Sequence, residues 1–386
     1  MTKPELGIIG GGQLARMMQE SASALGVRVR LLAEAADVSA AQVVPDHVVG
    51  DYTDLDVLRK VVGDAPVITF DHEHVPPTHL RTLADEGVVA RPGPDALLYA
   101  QDKAAMRSRL AGLGVPGPRH AVVSTRQELD AFAESLGGYP LILKVTRGGY
   151  DGKGVWLVRS LAEADAAFEA LGSSAAGTQL LAEEHVAFQR ELSVLAARRP
   201  SGDVVTWPVV ESRQEDGVCR EVTAPAPDLP QRLADQAREI AERVATELGV
   251  TGVLAVEMFQ TNDGRLLVNE LAMRPHNTGH WSMEGAVTSQ FENHVRAVLD
   301  LPLGSTRPRA AWTVMVNILG GKVTDLEGQR AVVMAQDPDL KVHLYGKEVR
   351  PGRKVGHVTA YGDDLMDVLA RARRGGRLLE NGAVDE

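Results

Sequence analysis

Two glutamates interrupt otherwise apolar, strand-like runs: Glu257 in VLAVEMFQ (253–260) and Glu270 in LLVNELAM (266–273). Asn262-Asp263-Gly264 lies between them, and Asp-Gly is a strong two-residue hairpin signal because type I′ turns need positive φ. With Asp263 and Gly264 as the loop, Asn262 pairs with Arg265, and Glu257 falls directly opposite Glu270 on the same face. Directly opposed like charges destabilise a ladder, so a buried Glu–Glu pair calls for a cation or a shared proton. Magnesium bridging carboxylates to nucleotide phosphates meets that need. The alternative is two solvated glutamates on an open sheet face. Strict alternation points Asn269 the other way, so it reaches this face only through a bulge or its backbone.

A second cluster is built around Lys144, inside the apolar run LILKV and just ahead of GGYDGKG (148–154). A lysine in an apolar strand is costly unless its ammonium reaches water or an anion. A glycine-rich turn with exposed backbone N–H groups is a suitable phosphate cover. Lys153 is followed by Gly154, so this is not a Walker A loop; an edge lysine on a flexible hairpin is the competing reading. Gly10-Gly11-Gly12-Gln13-Leu14-Ala15 satisfies the dinucleotide fingerprint between a strand and a helix, with Glu34 ending the next strand. It fits an NAD site or merely a tight turn. Asp71-His72-Glu73-His74 lacks the second histidine of HExxH, and Pro275 and Gly279 disfavour a metal-binding helix through His276 and His280. Near the carboxy end, KEVRPGRK (347–354) carries four basic residues and one acidic residue around Pro351-Gly352. If they converge there, Lys347, Arg353 and Lys354 suit a phosphate monoester; a solvated loop is the competing reading.

The elements that must hold these groups can be read from apolar periodicity. Over the first hundred residues, strands at Leu6–Gly10, Val27–Ala33, Val67–Phe70 and Val88–Ala90 alternate with helical patterns, including Gln13–Leu25. Such alternation signals a doubly wound parallel sheet. A helical stretch at Ala96–Leu113 ends before VPGP. A smaller unit follows, with strands Leu141–Thr146, Val155–Val158 and Leu180–Val186 and a helix near Leu161–Leu171. The remainder is α+β, with strands Arg190–Ala197 and Val204–Val210, a helix through Leu233, Ile240 and Leu248, the 253–272 hairpin and a helix near Ser289–Leu299. The expected domains are 1–100, 101–186 and 187–386.

The chain has 386 residues and a formal charge of −11, which argues against nucleic-acid binding. Its single cysteine, Cys219, permits no intramolecular disulfide. No apolar run approaches the roughly 20 residues needed to span a bilayer, and the amino terminus lacks a signal peptide, so a cytoplasmic location is expected.

The order of these elements resembles that of ATP-grasp ligases: a pre-grasp α/β domain, a small lid, and a body with two metal glutamates. NELAMRPHNTGHWSMEGAVTSQFENHVRAVLDLPLG (269–304), GGGQLARM (10–17), GGYDGKG and HLYGKEVRPGRKVGHV (343–358) closely resemble the 5-(carboxyamino)imidazole ribonucleotide synthase family. The resemblance implies an ATP-dependent carboxylation of 5-aminoimidazole ribonucleotide by bicarbonate through carboxyphosphate, in purine biosynthesis, by a homodimer. It implies ATP phosphate contacts for Lys103 and Lys144 and a cover formed by Gly149, Tyr150, Asp151, Gly152, Lys153 and Gly154. Tyr150, Asp151 and Lys153 would also serve catalysis. The backbone around Glu183, Glu184, His185 and Val186 would read the adenine edge, Glu191 would hold the ribose, and Asn269 would border the nucleotide. Glu257 and Glu270 would hold magnesium. Gly12, Gln13, Leu14, Glu73, Arg274, His276 and Asn277 would face bicarbonate and the ribonucleotide, with Arg274 catalytic and Lys347, Arg353 and Lys354 on the 5′-phosphate.

This sequence departs from the family pattern at Met273 (usually proline), Lys103 (commonly arginine), Gln214 (often histidine) and 71–74, where Glu73 is the matching carboxylate. Rival readings are a formate-using glycinamide ribonucleotide transformylase, an NAD-dependent oxidoreductase, and a catalytically silent nucleotide binder.

Overall fold

Short apolar runs alternating with amphipathic helices build a five-stranded parallel sheet over the first ninety residues. Its strands are β1 (Leu6–Ile9), β2 (Val29–Ala33), β3 (His47–Val49), β4 (Val67–Phe70) and β5 (Val89–Ala90), in the order β3-β2-β1-β4-β5. The sheet is doubly wound, as the alternation predicts. The computed structural model describes residues 5–63, 65–148, 153–172 and 179–382.

A four-stranded antiparallel sheet follows: β6 (His120–Val123), β7 (Leu141–Val145), β8 (Val155–Val158) and β9 (Leu180–Glu184), ordered β6-β9-β7-β8. It has its own small core, including Leu129, Leu141, Leu143, Val158 and Leu180. The body is a nine-stranded sheet made of β10 (Phe188–Arg198), β11 (Val204–Thr206), β12 (Val210–Glu215), β13 (Val218–Ala224), β14 (Gly252–Thr261), β15 (Leu266–Ala272), β16 (Trp312–Leu319), β17 (Lys341–Leu344) and β18 (Lys354–Gly362). One apolar core runs from Ile9, Leu32 and Phe70 of the first sheet through Leu97 and Met106 to Leu254, Val256 and Leu271 of the body. The helix Gln290–Val298 adds Phe291, Val295 and Val298 to a second core shared with Ile8, Met17 and Met18. Among the described residues, no helix is long and apolar enough to cross a membrane.

Three local expectations change. The stretch Ala96–Leu113 is two helices, Pro94–Gln101 and Lys103–Gly112, because Asp102 leaves the helical conformation and its carboxylate caps the second helix at the Ala104 and Ala105 N–H groups. The run Val204–Val210 is split between β11 and β12. The turn at 262–264 has three residues, not two. Gln260 pairs with Leu266, the Thr261 amide donates to the Arg265 carbonyl, and Gly264 takes φ +78°. This is the three-residue hairpin loop closed by a left-handed glycine.

Candidate active site

The extra turn residue shifts the register by one, which would place the two glutamates out of line. A β-bulge at Asn269 shifts it back: Met258 faces Val268, whereas Glu257 faces Glu270 directly. Two irregularities cancel, and the predicted opposition survives for a different reason. The bulge also rotates Asn269, whose Oδ1 accepts from Lys144 Nζ at 3.1 Å. The pair is not buried in the core as expected. Glu270 is exposed, a quarter of the Glu257 side chain is accessible, and both line a cavity of about 1080 Å³.

That cavity lies where the three sheets meet. The first sheet contributes Gln13, Leu14 and the segment Asp71–Val75 beyond the carboxyl ends of its strands, the usual ligand position in open α/β sheets. The small sheet contributes Lys144, Val155 and Glu183, with His185 and Val186 following it, and the body contributes Glu191, Gln214, Glu257, Phe259 and Asn269. Lys103, Glu184, Glu270, Arg274, His276, Asn277 and Lys354 also line it. Lys347 and Arg353 do not. The Lys347 ammonium donates to the Gln13 side-chain oxygen at the rim, and Arg353 is exposed, its guanidinium turned to the Glu348 carbonyl at 3.3 Å. Gly12 stands just behind the rim as the first residue of the helix turn. Gly149, Tyr150, Asp151 and Gly152 lie outside the described residues; Lys153 and Gly154 form the turn entering β8.

The electrostatics are dominated by two carboxylates facing each other. Burial first, then Glu270 and Glu191, push the Glu257 carboxyl up to about 8, with Lys354 and Arg274 only partly opposing. Burial pushes Glu191 up to about 7. Among the described residues, no group of three or more His, Cys, Asp or Glu side chains could hold a metal ion. Glu257 and Glu270 nevertheless offer the oxygen donors that Mg²⁺ takes from protein when substrate phosphates and water complete its shell. His276 Nε2 lies 3.7 Å from Glu257 Oε1, its Nδ1 is 2.9 Å from Thr278 Oγ1, and burial, then Arg274, hold its pKa far below the usual histidine range. Both influences favour the uncharged ring.

Several side chains stand differently from what the sequence suggested. Both Glu73 oxygens are engaged inside the protein, accepting from the Met273 amide at 2.6 Å and from Arg274 Nε at 3.1 Å. Glu73 thus orients the Arg274 fork toward the cavity. The Glu183 side chain is ion-paired internally, with Lys144 Nζ at 2.8 Å and with Arg107. Glu184 accepts from the Arg119 amide and Nε at 3.0 and 2.8 Å. These side-chain engagements leave the backbone of the segment, as the resemblance already implies, for any adenine reading. Sequence reasoning passed over Arg107, which sits mid-helix as an ordinary surface arginine would, and Arg147, which lines the cavity and pairs with Asp102 at 2.8 Å.

The glycine-rich start is occupied by the protein itself. Asp71 Oδ1 accepts from the Ala15 amide at 2.7 Å, and a Cβ at Gly12 would fall 2.2 Å from Asp71 Oδ2. Glu34, which an NAD ribose would require, accepts from the Gly11 amide at 2.9 Å. The helix terminus that would bind a pyrophosphate is filled by carboxylates.

A small antiparallel sheet set over an antiparallel body, with lysine from one facing paired glutamates from the other, defines an ATP-grasp protein. The ATP-grasp domain model matches residues 108–291, the ribonucleotide synthetase preATP-grasp model matches 1–101, and the phosphoribosylaminoimidazole carboxylase C-terminal model matches 313–371. The chain is 50% identical over 383 residues to the N5-carboxyaminoimidazole ribonucleotide synthase of Mycobacterium tuberculosis, covering 98% of this chain and 88% of that one. The crystal structure of N5-carboxyaminoimidazole ribonucleotide synthetase from Thermus thermophilus superposes with a TM-score of 0.86 at 39% identity, covering 99% of this chain and 100% of that one. The Aspergillus clavatus synthase, crystallised with ADP and 5-aminoimidazole ribonucleotide, superposes at 0.88 with 32% identity, covering 98% and 99%. The chain belongs to the N5-carboxyaminoimidazole ribonucleotide synthase family, and it is an ATP-grasp ligase.

Proposed function

We propose that the protein uses ATP to carboxylate 5-aminoimidazole ribonucleotide with bicarbonate, giving N5-carboxyaminoimidazole ribonucleotide, ADP and phosphate. The observation that carries this reading is the single cavity into which Lys144 and Asn269, the Glu257–Glu270 pair and Arg274 converge. A bicarbonate oxygen attacks the γ-phosphorus of ATP as the bond to the ADP oxygen breaks, forming carboxyphosphate. The exocyclic amine then bonds to the carboxyl carbon. The C–O bond breaks with its electron pair leaving on phosphate, which also takes the amine proton.

Each residue's contribution follows from its charge and place. Lys103 and Lys144 offset phosphate charge on the small-sheet side, as fixed cations aimed at developing charge do. Glu257 and Glu270 hold Mg²⁺, which when bound neutralises charge on the transferring phosphoryl group. Glu191, pushed up to about 7, accepts or donates to ribose hydroxyls. Arg274, a permanent cation fixed by Glu73, holds bicarbonate and then the carboxyphosphate. His276, neutral, and Asn277 position the aminoimidazole as hydrogen-bonding groups without adding charge. Lys354, on the cavity wall, is the best-placed cation for the 5′-phosphate; Lys347 and Arg353 complete that subsite only if their side chains turn from their present partners. Gly12, Gln13 and Leu14 border the same end. The resemblance assigns the cover over the phosphates to Gly149 through Lys153.

A division at 1–100, 101–186 and 187–386, a homodimer, and a cytoplasmic location belong to the same reading; sedimentation analysis tests the dimer. The deciding experiment measures ADP formed from ATP and bicarbonate with and without 5-aminoimidazole ribonucleotide. Acceleration by the ribonucleotide, unaffected by formate, is expected. Turnover indifferent to the ribonucleotide rejects the assignment.

A further inference from the structure

Arg107 lies in the helix Lys103–Gly112 and is almost wholly buried, with 2% of its side chain exposed. A buried guanidinium must have its donors satisfied and its charge compensated. Its Nε donates to Glu183 Oε1 on β9. Its two terminal nitrogens donate to the carbonyls of Val268 at 2.7 Å and Asn269 at 2.8 Å, at the bulge of β15. Glu183, 3% exposed, gives its other oxygen to Lys144 Nζ, which also donates to the Asn269 side chain. One guanidinium therefore grips both structures that present ligand-binding groups: the carboxylate that holds Lys144, and the bulge that sets Asn269 and Glu270. This side chain's fork joins the small sheet to the body at three acceptors, which lysine cannot reproduce.

We infer that Arg107 is a positioning residue for ATP, holding Lys144 in place through Glu183 and fixing the Asn269–Glu270 bulge through its two carbonyl bonds. The inference rests on the reading of Lys144 as a phosphate ligand. With Arg107 present, Glu183 is shared between two cations, and Lys144 keeps a donor for an incoming phosphate. Without it, Lys144 is the carboxylate's remaining partner and is drawn toward Glu183, away from phosphate. The bulge carbonyls lose their donors at the same time.

The test is steady-state ADP formation by Arg107→Met, Glu183→Gln and the double variant, with ATP and ribonucleotide varied separately and thermal midpoints recorded. Arg107→Met should raise the KM for ATP by about tenfold or more, as expected for contacting charged groups, while the ribonucleotide KM stays within about twofold. Because Arg107 acts through Glu183, the double variant should lose less than the product of the single losses. Arg107→Lys, which keeps the charge but cannot serve all three acceptors, should fall between wild type and Arg107→Met in ATP KM. If Arg107→Met does not fold, the Arg107→Lys measurement decides: a selective rise in ATP KM supports the role, and a wild-type value overturns it. Equal rises in both KM values, or strictly multiplicative losses, would make Arg107 a structural tie only. A wild-type enzyme that ignores the ribonucleotide would instead count against the proposed function, leaving the Arg107 comparison readable in ATP binding alone.

Discussion

Replacing Glu257 with glutamine is expected to abolish turnover and, in the absence of metal, to stabilise the protein. The Glu257 carboxyl moves from its ordinary 4.5 up to about 8, driven by burial and then by the facing Glu270. Between those values the folded protein holds a proton that the unfolded chain has released. Stability therefore falls as pH rises from about 4.5 to about 8, and a glutamine escapes that loss. At about 1.4 kcal/mol per pKa unit the ceiling is about 5 kcal/mol. A quarter of the side chain reaches cavity water, so roughly 2–3 kcal/mol is the reasonable expectation after screening. The assay is urea unfolding of both proteins with a chelator present, at about pH 5 and about pH 8.5, comparing midpoints at unchanged slope. The variant should match wild type at the lower pH and exceed it at the higher. Saturating Mg²⁺ and nucleotide should close that gap, since ligand at a hundred times its Kd adds about 2.7 kcal/mol to wild type only. A gain of equal size at both pH values, or none at the higher, would refute the argument that opposed, desolvated carboxylates await a cation there.

Lys354→Met should raise the ribonucleotide KM roughly ten- to a hundredfold, the worth of one charged hydrogen bond, with ATP affinity unchanged. Arg353→Ala, outside the cavity lining, should shift it by no more than about twofold, and the reverse ranking would return the phosphate to the exposed turn. Gly12→Ala places a methyl 2.2 Å from Asp71 Oδ2 and should cost about 1–3 kcal/mol by overpacking, read as a lowered melting temperature; an unchanged one would show that Asp71 moves freely. His294, buried with Nε2 2.8 Å from Thr69 Oγ1 and Nδ1 accepting from the Val253 amide at 3.0 Å, is depressed by burial to about 3. Its contribution should be present above about pH 6.5 and lost as pH falls toward 3, so His294→Asn should show a shallower acid slope in thermal midpoint, and an identical slope would exclude it.

Much of the candidate site was legible because its charged groups break local patterns. Lys144 interrupts an apolar strand, Glu257 and Glu270 interrupt two more, and each break is visible in a window of a few residues. Most of the first sheet was legible because its central strands β1, β2 and β4 are almost wholly buried and read as short apolar runs, whereas the short, partly exposed edge strand β3 was not read. The carboxy-terminal strands β16 to β18 were not read, since their partners lie far away in sequence: β13 joins β16 across nearly a hundred residues.

Sequence by itself determined the presence of a strand–turn–strand unit carrying opposed glutamates, the family motifs, and the glycine-rich segment after Lys144. Tertiary structure decided how those groups are used. The three-residue turn and the compensating bulge are differences of one residue, and only ladder pairing fixes such a register. Asp71 and Glu34 fill the dinucleotide-like turn because the first sheet folds them back onto it, and nothing local in GGGQLA shows that. Arg107 looks like any helical arginine until its fork closes on a carboxylate 76 residues away and on carbonyls more than 160 away. The worth of a charge depends on what surrounds it, and three-dimensional packing alone brings those surroundings together.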